Sequence, residues 1–401
     1  MNATPPRIKH GTMLPAGILA AALFALLTFA PLASSASYPV AGGSTTIALN
    51  HSFVKKLKRS DIVVQRLSPA KLRGNRATFT VSRGSVDPTT GLGTVNFSGG
   101  IQFKAGKKKA PVKSLVLDTA KRTLTGIVAG KKLKLATISA ATSARNGFGV
   151  NIAIKSMRLT GQAARQLNKK LGLNSKRGRA ATSKVAESPF KADQLLGSAR
   201  AETQPQKVAI LPAGEAMLAL NLPVFTTLKE VNVELEPIAP SNLVAAGPPP
   251  LFASPIAGES VAPNATAGIV KTTGGLTLVQ SFGSEGGQTT MTLGAFWIDL
   301  GTTTVTVEMK VASHGLGEGL NLGSLGRRAF ADISLTGATV SADPATRTVT
   351  VQNATATLGT ATADRLNQLF VEPFERKREA PAKHFAAGDQ FGTFSFTVQT
   401  Q

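Results

Sequence analysis

Histidine, cysteine, tyrosine and paired carboxylates supply most catalytic and metal chemistry, and this 401-residue chain holds 4 His, 1 Tyr, no Cys and 22 Asp+Glu. Without cysteine there are no disulfides, no thiolate metal sites and no cysteine nucleophile. His51, His314 and His384 stand far apart, and none forms a HxxxH or HxH pattern beside a carboxylate, so no metal site is expected. Gly323-Ser324-Leu325-Gly326 lacks the strand-and-helix setting of a serine nucleophile. Asp118 and Asp299 fall at matching places in the two halves of the chain; each reads as a turn or strand-end hydrogen bond within its own half. These features point away from an enzyme. An enzyme acting on cell-wall sugars through paired carboxylates would have to use the second half, where most acidic residues lie.

The abundant reactive group is the ammonium. The sequence has 45 Lys+Arg and a formal net charge of +23. The charge is uneven: residues 37–210 hold 32 Lys and Arg against 6 acidic residues, and residues 211–401 hold 11 against 16. Basic runs stand at Lys55-Lys56-Lys58-Arg59, Lys107-Lys108-Lys109, Lys131-Lys132-Lys134 and Lys176-Arg177-Arg179. A fold does not need such a surplus, whereas adhesion to an anionic polymer or membrane surface does. The residues expected to carry that contact are Lys107, Lys108, Lys109, Lys131, Lys132 and Lys134. Nucleic acid is not expected, because aromatic residues are nearly absent among these lysines.

The elements that must position these residues are written twice. Gly43–Leu72 aligns without a gap to Gly214–Leu243, with Ala48-Leu49-Asn50 matching Ala219-Leu220-Asn221 and Pro69 matching Pro240. Further on, Val86, Pro88, Gly93, Val95 and Gly99-Gly100 return as Val261, Pro263, Gly268, Val270 and Gly274-Gly275. Leu115–Asp118 returns as Phe296–Asp299, Leu167-Asn168 as Leu366-Asn367, and Phe190 and Gly197 as Phe385 and Gly392. Val95, Phe97, Ile101 and Phe103 alternate with small or polar residues, as do Val305, Val307 and Met309, which is the period of half-buried antiparallel strands. Asp87-Pro88 and Asp343-Pro344 mark turns. Helices are predicted over about His51–Lys58, with Phe53, Val54 and Leu57 on one face, and over about Gln162–Leu171, with Ala163, Leu167 and Leu171 in line.

The fold class is therefore mainly β: two tandem antiparallel β-sandwich-like domains, 43–203 and 214–401, each with one or two short helices. Between repeats the second gains 14 residues, expected as a flexible loop at Ala312–Arg328. Asn168–Ser188 reads as a mobile loop, Ala245–Pro263 as an extended one, and Tyr38 as lying ahead of the first domain. Arg7, Lys9 and His10, then the apolar run Ala16–Ala30, Pro31 and the small residues Ser34-Ser35-Ala36, make residues 1–36 a secretory signal with cleavage before Ser37. An uncleaved anchor over Leu14–Leu32 is the alternative. Either implies an extracytoplasmic chain, and the missing cysteine suits a bacterial exterior.

Within this frame FTVSRGSVDPTTGLGTVNFSGGIQF, Phe79–Phe103, resembles the central signature of HtaA domains, bacterial cell-surface domains that bind haem and often occur in tandem. Thr119–Ile138 resembles the family's following segment. The resemblance implies a β-sandwich with short helices at the cell surface, with haem held by a tyrosine in the first helix and a histidine after the Ser-Gly strand. At those positions this chain has Lys56 and Thr227, and Lys104-Ala105-Gly106-Lys107 and Gln280-Ser281-Phe282-Gly283. Axial ligation needs tyrosinate, imidazole or sulfur, so a haem would have to be held elsewhere, with His51 as one candidate. The leading expectation is a secreted or surface-retained binding protein without a cofactor, whose basic domain contacts anionic envelope polymer or membrane. The alternative is a haem-binding or haem-transport protein with ligands outside the family positions.

Overall fold

Alternating apolar residues close a sheet when each strand can bury one side and pair on both edges, and that is what both halves of this chain do. The computed structural model describes residues 37–173, 188–282, 286–315, 321–370 and 383–401. The segment read as a signal lies outside them, as does Lys176-Arg177-Arg179. The first half runs β1 (Tyr38–Leu49), α1 (His51–Arg59), β2 (Ile62–Leu67), β3 (Lys71–Arg73), β4 (Arg76–Val86), β5 (Gly93–Ser98), β6 (Gly100–Ala105), β7 (Lys108–Asp118), β8 (Thr123–Val128), β9 (Lys131–Ile138), β10 (Ala141–Asn146), β11 (Gly149–Leu159), α2 (Gly161–Leu171) and β12 (Leu195–Pro205). The second runs β13 (Val208–Ile210), β14 (Glu215–Leu220), α3 (Leu222–Glu230), β15 (Val233–Ile238), β16 (Asn242–Ala245), β17 (Leu251–Val261), β18 (Gly268–Thr272), β19 (Gly275–Ser281), β20 (Gly287–Asp299), β21 (Thr304–Gly315), β22 (Gly323–Ser334), β23 (Thr339–Asp343), β24 (Thr348–Leu358), α4 (Thr360–Leu369) and β25 (Gln390–Gln399).

In the first half the order β7-β5-β4-β1-β12-β11-β9-β8 returns to β7 through a β7–β8 pairing, a closed ring of antiparallel strands. In the second, β17-β14-β25-β24-β22-β21-β20 is closed through β18, which pairs with both β17 and β20. The expected mainly-β, sandwich-like pair of sheets with short helices is what the chain forms. Each barrel carries a side pair, β2 with β6 and β15 with β19. The registers repeat too: Ala77 lies opposite Ile47 and Leu72, and Phe252 opposite Leu218 and Leu243. Ser114 and Ala295, at matching places in β7 and β20, both take positive φ (54° and 43°).

The helices form where the apolar spacing put them. In α1 Phe53 and Leu57 are buried, and Asn50 caps its start by accepting the Phe53 amide at 3.2 Å. In α2 Ala163, Leu167 and Leu171 are buried, Thr160 caps the start, and Gly172 at φ 70° ends the helix in the left-handed conformation that glycine adopts freely.

Four expectations need correction. The 14 extra residues are not simply a loop: they lengthen the β21–β22 hairpin, so that residues 312–315 and 323–328 are strand. Glycines misled the reading, because a hairpin tolerates them where cross-strand bonds continue. Ala245–Pro263 contains β17, the counterpart of β4; the stretch around Pro248-Pro249-Pro250 and the last two residues are loop. Asn168 belongs to the last turn of α2, and its buried side-chain amide donates to the Phe190 carbonyl at 2.8 Å. Tyr38 does not precede the fold. It opens β1 opposite Val86, and it packs with Phe148 into the apolar core of the second barrel. Among the described residues no helix is long and apolar enough to cross a membrane.

Candidate functional site

Two of the lysine runs begin at or directly after hairpin turns, and the registers decide where those turns lie. In the β6–β7 hairpin Ala105 is opposite Lys108 and Lys104 opposite Lys109. In β7–β8 Val112 is opposite Val128, and in β8–β9 Val128 is opposite Lys131 and Ile127 opposite Lys132. Antiparallel pairing thus brings both turns to one end of the first barrel. Val112, Val128 and Lys131 share one row, so Lys109 stands two strand spacings and three residues of rise from Lys131, about 14 Å. All six predicted lysines are exposed. Lys134 lies further along β9, opposite Thr125.

The same end gathers cations that the sequence reading did not assign to it. Lys113 shares a cross-strand row with Ile127 and Lys132, and all three project to one face. The last turn of α1 supplies Lys56, Lys58 and Arg59 and leads into β2, whose Ile62 is opposite Ala105 beside the β6–β7 turn. The last turn of α2 supplies Lys169 and Lys170, and Gly172, which follows it, abuts the Lys108 ammonium. Cations at helix C-termini meet the negative end of the helix dipole, which lowers the cost of collecting them. Lys104, Lys113, Lys169 and Lys170 stand alone or in pairs in the sequence, so only the pairing register could have added them.

None of the six predicted lysines pairs with a carboxylate among the described residues; the ion pairs there are Lys121–Asp118, Arg158–Asp193, Lys271–Glu259 and Arg327–Glu308. Like charges directly opposite one another, as Lys104 and Lys109 are, weaken a sheet. The arrangement therefore costs the fold something and can act as a cationic surface for phosphate or carboxylate groups.

The remaining singled-out residues are dispersed. His51 is exposed at the first position of α1, His314 is exposed near the end of β21, and His384 is half-buried beside Asn367, whose side-chain oxygen accepts its backbone amide at 2.8 Å. Among the described residues no three His, Cys, Asp or Glu side chains converge as metal ligands. Asp118 accepts the Lys121 amide at 2.8 Å, and Asp299 accepts the Gly301 and Thr302 amides at 2.8 and 3.1 Å. Burial works against the Asp299 charge, but the Thr302 and Gly301 amides outweigh it and hold the carboxyl below the usual range. Both aspartates are engaged by their own turns, as read from the sequence.

The positions where the HtaA resemblance places haem ligands hold Lys56 in α1 and Lys104–Lys107 at the end of β6, all part of the basic end, and Thr227 in α3 and Gln280 in β19. Gln280 is buried with its amide donating to the Val231 carbonyl at 2.7 Å. These side chains do not fit a haem iron, which needs tyrosinate, imidazole or sulfur.

No family model and no curated protein sequence matches the chain. Among solved structures it is similar to the C-terminal domain of HtaA from Corynebacterium glutamicum, at 14% identity and a TM-score of 0.30, over 42% of this chain and 98% of that one.

Proposed function

We propose that this protein is a non-enzymatic binding protein of the cell exterior whose first barrel adheres to anionic envelope polymer or membrane surface through the end bearing Lys107, Lys108, Lys109, Lys131 and Lys132, with Lys134 further along β9. One observation carries the reading: two lysine runs more than twenty residues apart in sequence are brought by hairpin register to one barrel end, where they find no acidic partner among the described residues. The second barrel shares the ring topology and lacks the surplus, so the charge belongs to a task and not to the fold.

Co-sedimentation of the full chain with phosphatidylglycerol vesicles, and retention on immobilised polyphosphate, test it. A membrane-adjacent lysine contributes about 1 kcal/mol, so changing all six to Gln is expected to weaken binding at least about a hundredfold. Affinity should fall steeply between about 0.05 and 0.5 M salt. Equal binding by the six-Gln variant, or binding indifferent to salt, would overturn the reading.

A further inference from the structure

The interior of the first barrel encloses a cavity of about 60 Å³ beneath α1 and α2, lined by apolar side chains. Its wall includes Phe53, Ala77, Leu115, Leu135, Met157 and Leu196. A site with no polar partners stays dry, and by the room one water needs this one takes about four to six methylene-sized groups.

The second barrel carries bulkier side chains at four of the equivalent positions. By register Ala77, Leu115, Leu135 and Leu196 correspond to Phe252, Phe296, Phe330 and Phe391, all buried. Phe330 and Phe391 meet edge to face, with centroids 4.8 Å apart, and Phe296 meets Phe394 at 5.7 Å. The first barrel's own rings wall the cavity from the other side: Phe53, Phe103 and Phe190 form an edge-to-face triad that borders it, with Phe79 nearby. At these four positions one barrel places phenyl rings where its sister has shorter side chains beside open space.

We propose that the first barrel is a binding site for an alkyl or small aromatic group of about four to six carbons, seated where the second barrel carries its own phenyl rings. The group can arrive as a free hydrocarbon or as the end of an amphiphile's chain. The inference does not depend on the lysine face.

Methionine methyl groups provide the test. Met157 lines the cavity, whereas Met291 and Met309 are buried in the second barrel. The full chain labelled with 13C-methyl methionine is titrated with n-hexane and, separately, with decanoate. The expected result is a saturable shift of the Met157 signal with Met291 and Met309 unmoved. A shift with both probes identifies a chain end; a shift with hexane alone identifies a free hydrocarbon. Ala77→Leu, which adds three carbons into the space, should cut the Met157 response at least tenfold while the spectrum stays dispersed. Leu196→Phe serves the same purpose should Ala77→Leu fail to fold. A Met157 signal that stays still with both probes, or one that moves in parallel with Met291 and Met309, would overturn the proposal.

Discussion

Tyr38 shows how a single residue ties the halves together. It starts the first strand of the first barrel, yet it packs in the core of the second, and its hydroxyl donates to the Gln401 side chain at 2.7 Å. Burial pushes its pKa above the ordinary 10; the Ala209 backbone and the Arg145 charge offset this only in part. A pKa raised on folding means that the stabilisation is complete below pH 10 and is lost as pH rises through the folded value. Because this is the one tyrosine in the chain, absorbance at 295 nm titrates it alone. The midpoint should lie above 10 in buffer and return to about 10 in denaturant, and Tyr38→Phe should flatten the stability loss above pH 10. A folded midpoint at 10 would mean that the hydroxyl is solvated. Sequence could not place this residue, because its partner lies 363 positions away. Asn168 and Asn367 are the opposite case. Their equivalence was legible, but its reason was not: each donates to the carbonyl of the phenylalanine that returns the chain after the helix, Phe190 at 2.8 Å and Phe385 at 2.7 Å.

Elements were readable where one side of them is buried in period. Phe53 and Leu57 gave α1 its extent, and Val305, Val307 and Met309 gave β21 its face. They were misread where glycine or proline dominates composition while the backbone still pairs, as in β17 and at the ends of the β21–β22 hairpin. Equivalent helices also differ in how they begin. Asn50 bonds the third amide of α1, whereas Asn221 ahead of α3 makes no such bond, Pro223 removes a neighbouring donor, and the Asn221 side-chain oxygen is buried without a partner among the described residues. A capping bond contributes about 1 kcal/mol. Asn50→Ala should therefore lower stability by about that amount in denaturant unfolding, and Asn221→Ala by no more than a few tenths of a kcal/mol. Equal losses would show that the two caps act through something other than the side-chain bond.

At the scale of the molecule, one topology carries two opposite electrostatic habits. The duplication and the charge imbalance were both legible, since residue types and order are enough to see them. The meeting of the lysine runs was not, because it depends on which strands pair and in what register. That meeting has a thermodynamic signature separate from any ligand. Thirty-two cations against six anions in residues 37–210 repel one another, and self-repulsion opposes compaction. Raising ionic strength from 0.01 to 0.15 M shortens the screening length from about 30 to 8 Å, so repulsion between lysines about 14 Å or more apart is largely lost. The melting temperature of the full chain should therefore rise by a few degrees over that range, since 1 kcal/mol moves a domain of this size by about 2–4 °C. Changing the six exposed lysines to Gln should remove a large part of that rise and leave the melting temperature in high salt nearly unchanged, because the fold draws no ion pair from them among the described residues. An identical salt response in the variant would mean that the repulsion is spread over the whole barrel and is not concentrated at the end where the hairpins place the lysines.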